Sequence, residues 1–213
     1  MLSAETISAF FIASVLLGIA PGPDNLFVLT QSALHGKLSG IMVVSGLCTG
    51  LLVHTGAVAL GVAVIFQASA LAFTMLKLAG AGYLVYLAWG VFRATPEKIS
   101  MTGGQDNNLG VLYRRGIIMN VTNPKVSIFF LAFLPQFADP NRGPISLQMV
   151  LLGGIFIIAT ILVFGSAALI GGTLGDWLNR SEYAQKVMNR IAGSVYIGLA
   201  LKLATVERLS LIH

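Results

Sequence analysis

The chain has 213 residues, of which 56% are hydrophobic and only 10% are charged, and its net charge is +5. Soluble domains carry about 25% charged residues, so this composition excludes an ordinary soluble protein. The Lys and Arg residues are scattered at the ends of apolar segments and form no continuous basic patch for nucleic acid.

Apolar segments of membrane-spanning length recur along the chain. No Asp, Glu, Lys or Arg occurs in 38–76 or in 143–175, and about 20 apolar residues are enough to cross a bilayer core of about 30 Å. The sequence predicts an all-α integral membrane protein with six transmembrane helices, at about 5–30, 39–66, 69–92, 112–137, 146–173 and 187–206. No basic region precedes the first segment, so we expect a retained span rather than a cleaved signal peptide.

Basic residues are more frequent in the connections after segments 1, 3 and 5 than in the others. The positive-inside rule then predicts that these connections are cytoplasmic and that both termini lie outside. This assignment requires the first segment to cross the bilayer fully. The sequence leaves open whether the first and fourth segments do so.

A helix-breaking motif, Gly18-Ile19-Ala20-Pro21-Gly22-Pro23-Asp24-Asn25, interrupts the first segment. Prolines remove backbone donors and leave carbonyls that hydrocarbon does not satisfy, so we interpret Pro21, Gly22 and Pro23 as an unwound stretch that lines a cavity. Asp24 is the only acid inside an apolar segment, and it is the first candidate for carrying protons or binding an ammonium group. Alternatively, the motif is a kink in a packing helix, and Asp24 or Asn25 caps the following helix or lies at the membrane boundary.

His54 follows Gly46 and Gly50 at steps of four residues, so all three share one face of the second segment. Small residues let another helix approach closely, either in the other half of the chain or in a second protomer of a homodimer. His54 is then either hydrogen-bonded across that contact or a proton carrier.

The fourth segment carries a second break, at Asn120-Val121-Thr122-Asn123-Pro124-Lys125. The amides of Asn120 and Asn123 donate and accept, which suits freed backbone groups or a zwitterionic ligand. Lys125 either attracts a carboxylate or extends to the membrane interface as an anchor.

The chain reads as two halves of three segments each. Repeat 1 covers about 5–94, the polar connection about 95–110 and repeat 2 about 111–206. Each half has a proline break in its first segment, and its third segment contains a matching pattern, Lys77-x-x-Gly80-x-x-Tyr83 or Arg190-x-x-Gly193-x-x-Tyr196. Chance recurrence of small residues is the alternative to a duplication. Repeats that each cross three times must be inverted relative to one another.

Four motifs together carry a resemblance to a known family. They are Pro21-Gly22-Pro23-Asp24-Asn25-Leu26, Lys77-x-x-Gly80-x-x-Tyr83-Leu84, Asn120-x-x-Asn123-Pro124-Lys125 and Phe133-Leu134-Pro135-Gln136-Phe137. In this combination the chain resembles the LysE-type translocator family of bacterial inner membranes, over about residues 5–205. The resemblance implies export of amino acids or close derivatives, powered by ion gradients.

We therefore expect a secondary active amino-acid exporter of the bacterial inner membrane, working by proton-coupled antiport. The expected partners are an amino-acid substrate, protons, the lipid bilayer and a second copy of the chain, with no nucleic acid, cofactor or metal. The alternative is an exporter of a metal or another small cation, although one intramembrane acid and one cysteine, Cys48, offer few ligands. An enzyme is not expected, because His54 has no second histidine or acid at metal-ligand spacing.

Overall fold

A computed structural model describes residues 2–68, 70–94 and 108–205, and every regular element in these ranges is helical. The α-helices are α1 (Ala4–Ile19), α2 (Pro23–His35), α3 (Lys37–Ala68), α4 (Ala70–Arg93), α5 (Leu109–Thr122), α6 (Pro124–Ile128), α7 (Ile145–Arg180) and α8 (Glu182–Thr205). After α6 the chain continues as a π-helical turn, Phe129–Phe133, and a 3₁₀ turn, Leu134–Phe137. Most of the predicted polar connection, 95–107, lies outside the described residues.

The prolines break two helices at the predicted places. The axes of α1 and α2 differ by 63°, and the axis of α5 differs by 50° from that of the segment Pro124–Phe137. Pro23 is the first residue of α2, and Pro124 is the first residue of α6. At the first position of a helix the N–H has no partner within that helix, so proline costs it no hydrogen bond. The two predicted helix breaks are therefore confirmed.

Three described helices are long and apolar enough to cross a membrane, in the ranges Lys37–Gly61, Thr74–Arg93 and Ile145–Gly171. The number rises to five if each bent pair forms one span. The sixth predicted span, 187–206, corresponds to α8, which begins at Glu182 and does not meet the same test. Lys186, Arg190 and Lys202 lower its hydropathy, so a sixth crossing stays a prediction.

Helix α3 runs parallel to α5 at a close contact. Gly46 lies against Tyr113, and Gly50 lies against the side chain of Asn120, so residue numbers increase in the same direction along both helices. A Cβ atom at Gly46 would overlap the backbone oxygen of Tyr113. The small residues of this face therefore pack between the two halves of one chain, which resolves the alternative that the sequence left open.

The first bent pair has the same relation to α7. Gly18 of α1 lies against Val163, and Ser32 of α2 lies against Gly171. Residue numbers increase from α1 to α2 in the same direction as along α7, so the bent pair as a whole follows the direction of α7.

Two further helix pairs are antiparallel. The contacting residues are Thr55 with Gly153 and Gly40 with Ala168 for α3–α7, and Gly80 with Leu203 and Phe92 with Gly193 for α4–α8. In each pair the residue numbers increase along one helix as they decrease along the other. Gly80 and Gly193, the glycines of the two matching sequence patterns, therefore both lie in the α4–α8 contact.

An aromatic cluster joins the first bent pair to the second. Its rings have centroid separations of 4.8–6.4 Å and belong to Phe10, Phe129, Phe130, Phe133, Phe137 and Phe156. The π-helical turn directs Phe129, Phe130 and Phe133 into the core, where each is at most 1% exposed. This cluster holds α1 against the chain that follows the second break.

Replacing Gly46 with leucine should destabilise the protein, because the new side chain would have to separate α3 from the backbone of α5. Overpacking of this kind costs about 1–3 kcal/mol. We expect a lower midpoint of thermal unfolding in detergent, measured by size-exclusion chromatography after heating. Gly56→Leu is the matched control on the same helix, since a Cβ there has nothing within 4 Å. Equal midpoints for the two variants would contradict the close contact.

Candidate functional site

The two proline breaks meet inside the protein. Asp24, in the first turn of α2, is only 3% exposed, and Asn123, between α5 and α6, is 5% exposed. The Asn123 side-chain N–H donates to Asp24 Oδ2 at 2.8 Å, which joins residues 99 positions apart. Asn123 Oδ1 accepts from the backbone N–H of Lys125 at 3.0 Å, so one amide connects the acid to the turn that carries the lysine.

Lys125 supplies the hydrogen-bond donor that the first break lacks. The N–H four residues after Leu17 would belong to Pro21, which has none, so the carbonyl of Leu17 loses its helical partner. Lys125 Nζ donates to this carbonyl at 3.4 Å and to the carbonyl of Ala20 at 3.1 Å. Lys125 is 7% exposed, so the alternative of an interfacial anchor is wrong.

His54 has the corresponding position at the second break. The N–H four residues after Asn120 would belong to Pro124, which has none. His54 Nε2 lies 3.2 Å from the carbonyl oxygen of Asn120, and since that oxygen only accepts, Nε2 carries the hydrogen. The structure therefore shows the hydrogen bond across a helix contact that was one of the two sequence-based interpretations.

Each break is thus completed by a side chain from the opposite half of the sequence. Lys125 caps the end of α1, and His54 caps the end of α5. Asn25 adds a local cap by donating to the carbonyl of Gly18 at 2.7 Å. The alternative that Asp24 or Asn25 caps α2 is wrong, because the N-cap position is Gly22 and receives no side-chain bond.

Gly22 leaves room for the lysine. A Cβ atom at Gly22 would lie 3.1 Å from Lys125 Nζ and 3.7 Å from Asn25 Oδ1. A side chain there would press against the ammonium group that caps α1, so the glycine of the first break is fitted to the lysine of the second.

A small cavity lies between the breaks. It is lined by Leu17, Gly18, Asp24, Leu47, Asn120, Lys125, Val126, Phe156, Thr160 and Phe164. The centre of a water molecule can occupy a volume of about 20 Å³ in this cavity. A volume of about 10–15 Å³, measured in this way, is enough for one water. In this conformation the cavity admits a water-sized group but not a whole amino acid.

Two buried oxygens at the cavity have no hydrogen-bond partner among the described residues. They are Asp24 Oδ1 and Asn120 Oδ1. Buried polar groups are nearly always hydrogen-bonded, and an unpaired one costs about 1–3 kcal/mol. Both residues are 3% exposed, so solvent outside the protein does not supply the partner.

The predicted site residues divide into three groups. Asp24, Asn120 and Lys125 line the cavity, while Asn25, His54 and Asn123 hold the surrounding backbone and side chains. The break-forming Pro21 and Gly22 are half-buried, and Pro23 and Pro124 are exposed, so these residues shape the breaks without lining the cavity.

Sequence reasoning missed the wall that α7 provides. Phe156, Thr160 and Phe164 lie one helical turn apart and face the cavity. Thr160 is 6% exposed. Its isolated hydroxyl in a charge-free segment was the one available signal.

Replacing His54 with glutamine should leave the fold intact, because a glutamine side-chain N–H can also donate to the carbonyl of Asn120. His54→Leu removes this donor and leaves the carbonyl with only the backbone N–H of Asn123 as its partner, at a cost of about 0.5–1.5 kcal/mol. We expect a lower unfolding midpoint for His54→Leu than for His54→Gln in the same heating assay. Equal midpoints for the two variants would contradict a stabilising role of this hydrogen bond.

Comparison with known proteins identifies the family. The family described as LysE type translocator matches residues 15–207. The chain belongs to this family. It is accordingly a multi-pass protein of the inner membrane with a transport function.

The relatives of this LysE-type translocator are similar over almost their whole length. The chain is 32% identical over 197 residues to the homoserine/homoserine lactone efflux protein of Salmonella typhimurium, covering 92% of this chain and 95% of that protein. The Salmonella typhi protein of the same name has the same identity and coverage. An uncharacterized membrane protein of Vibrio cholerae is 32% identical over 199 residues, covering 93% and 96%. No solved structure matches the chain.

Proposed function

We propose that this LysE-type translocator is a secondary active exporter of amino acids or their derivatives, and that the cavity between the two breaks is its substrate site. The observation that carries the proposal is the buried hydrogen bond between Asn123 and Asp24, which brings both breaks to one polar cavity. A charged side chain at membrane depth costs at least about 2.5–3.5 kcal/mol, so buried charges there mark substrate or ion pathways.

The chemistry of the cavity suits a small zwitterion or ammonium compound. It presents the carboxylate of Asp24, the ammonium group of Lys125 and the amide of Asn120 on an otherwise largely apolar wall. Transporter sites of this type are built from broken helices near the middle of the bilayer, where polar backbone faces a cavity rather than lipid. The efflux names of the two Salmonella relatives support the export direction.

We infer further that repeats 1 and 2 are inverted copies of one another, each crossing the membrane three times. The helix directions support this arrangement: the first bent pair runs parallel to α7 and α5 runs parallel to α3, while α3–α7 and α4–α8 are antiparallel. In this arrangement α3 corresponds to α7, and α4 corresponds to α8. Exchanging the two halves then turns the contact of the first bent pair with α7 into the contact of α5 with α3. The α3–α7 and α4–α8 pairs each remain the same pair. Rocking of two such repeats around the cavity would give access from alternate sides.

Proton antiport is the energy source we propose. A charge that crosses the membrane gains about 2.3 kcal/mol per 100 mV, enough to drive export against a gradient of roughly 50-fold. Asp24 is the proposed proton carrier, because it is a buried acid and one of its oxygens has no partner in the described part of the chain. His54 is the weaker candidate, since its Nε2 is engaged by the carbonyl of Asn120.

The test uses the full chain reconstituted in liposomes. Vesicles loaded with homoserine are diluted into substrate-free buffer with or without an imposed pH gradient, and release is followed over time. We expect protein-dependent release that accelerates when protons can move in the opposite direction. A release rate that does not depend on the pH gradient would contradict proton coupling but not amino-acid export. If no amino acid of a broad panel is exchanged, the proposal of an exporter is wrong.

The alternatives gain no support from a specific observation. No three His, Cys, Asp or Glu residues of the described chain are grouped so that they could hold a metal ion. The face of α3 that carries Gly46 and Gly50 does not support a homodimer, because it packs against α5 of the same chain.

A further inference from the structure

We propose that the cavity between the two breaks is the subsite for the ammonium group of the substrate, and that a free carboxylate is not needed for recognition. The inference rests on the proposed function, because it names the class of molecule that the same site takes. That class is primary amines, including amino acids and their lactones and esters, but excluding N-acylated amino acids.

The unsatisfied groups at the cavity are acceptors. Asp24 Oδ1 is one oxygen of a carboxylate whose other oxygen already accepts from Asn123, and it has no partner among the described residues. Asn120 Oδ1 is a second unpartnered acceptor in the lining of the same cavity. A ligand that fills this place must donate hydrogen bonds to these two oxygens, and an ammonium group supplies three N–H donors.

The cation that lines the cavity is already committed to the backbone. Lys125 has three N–H donors, and two of them are directed to the carbonyls of Leu17 and Ala20. Because Pro21 has no N–H, releasing Lys125 would leave the Leu17 carbonyl unpaired in the protein interior. Lys125 is therefore retained by the protein, and the site offers a substrate carboxylate no second cation from its lining residues.

The size of the cavity agrees with a small cationic group. The space of about 20 Å³ holds one water-sized group, and an ammonium group is of that size. A carboxylate is larger and would face the negative charge of Asp24. The carbon body of the substrate would lie against the apolar wall of Leu47, Phe156 and Phe164 once the breaks move apart.

The test is a competition assay on the purified full chain in detergent, with radiolabelled homoserine as the probe. The competitors are homoserine itself, homoserine lactone, in which the carboxylate and the hydroxyl are joined into a ring, and N-acetylhomoserine, which lacks the ammonium group. The assay is run at about pH 6, below the usual α-amino pKa, so that the amines are protonated. A second series uses leucine, leucine methyl ester and N-acetyl-leucine, with labelled leucine as the probe. It shows whether the result depends on the side chain of homoserine.

We expect the lactone or ester to compete within about tenfold of the parent amino acid, and the N-acetyl compound to be at least roughly 100-fold weaker, as loss of a charged hydrogen-bonding group predicts. Asn120→Ala should weaken homoserine and its lactone by the same factor, because both present the same ammonium group. N-acetyl compounds that compete as well as the parent amino acids, or lactones and esters that fail to compete, would overturn the inference while leaving amino-acid export in place. If neither homoserine nor leucine binds, and no amino acid is exchanged in liposomes, both the proposed function and this inference are wrong.

Discussion

Replacing Asp24 with asparagine reduces amino-acid exchange in liposomes by at least about 30-fold, the equivalent of about 2 kcal/mol for one partner of a buried charged interaction. The amide keeps the shape of the side chain and can still meet Asn123, but it removes the negative charge and the ability to take up a proton. The measurement is the initial rate of counterflow with labelled homoserine at equal protein content.

Asp139→Asn is the matched control for this prediction. It makes the same acid-to-amide change in the turn before α7, where Asp139 pairs with Arg142 at 3.2 Å and lies away from the cavity. We expect normal exchange in the control. If Asp24→Asn also exchanges normally at normal protein content, Asp24 has a structural role only, and the proposed site is wrong.

Replacing Lys125 with methionine lowers the stability of the protein by about 3–5 kcal/mol, because removing one member of a buried charged set leaves the other unpaired. Asp24 loses the opposite charge that lines the same cavity, and the carbonyls of Leu17 and Ala20 lose their donor. We expect a large drop in the thermal unfolding midpoint in detergent and no exchange in liposomes.

The double variant Asp24→Asn with Lys125→Met separates charge from packing. If the two charges stabilise one another across the cavity, the double variant is less destabilised than the sum of the single variants, by more than the roughly 0.5 kcal/mol that independent sites show. Transport should stay absent, because neither charge is present. Lys37→Met, at the exposed start of α3, is the control for loss of a lysine. Strict additivity would show that Lys125 acts only as a backbone cap.

The places where the chain breaks could be predicted from the sequence. Pro21, Pro23 and Pro124 act through their own missing N–H groups, so their effect is local and readable without a fold. The shared face of Gly46, Gly50 and His54 was equally predictable from helical spacing. The sixth span, at α8, stays a prediction, because Lys186, Arg190 and Lys202 lower the hydropathy of this helix.

The partners of these groups could not be predicted, because they come from distant parts of the chain. The sequence left Lys125 between a substrate role and an interfacial role, and the structure gives a third one, which is capping the end of α1. It left His54 between packing and proton transfer, and the structure provides its bond to the carbonyl of Asn120. The aromatic and hydroxyl residues of α7 that close the cavity gave almost no signal of their own.

The membrane environment and the two positions where the backbone must open follow from the sequence alone, because hydropathy and missing proline N–H groups are local properties of the chain. The packing of the helices was needed to show that each opening is completed by a side chain from the other half, and that Asp24 and Asn120 direct to one small cavity oxygens with no partner among the described residues. The physical reason is that a freed carbonyl in a nonaqueous interior needs a donor, and the identity of that donor depends on which helices pack together.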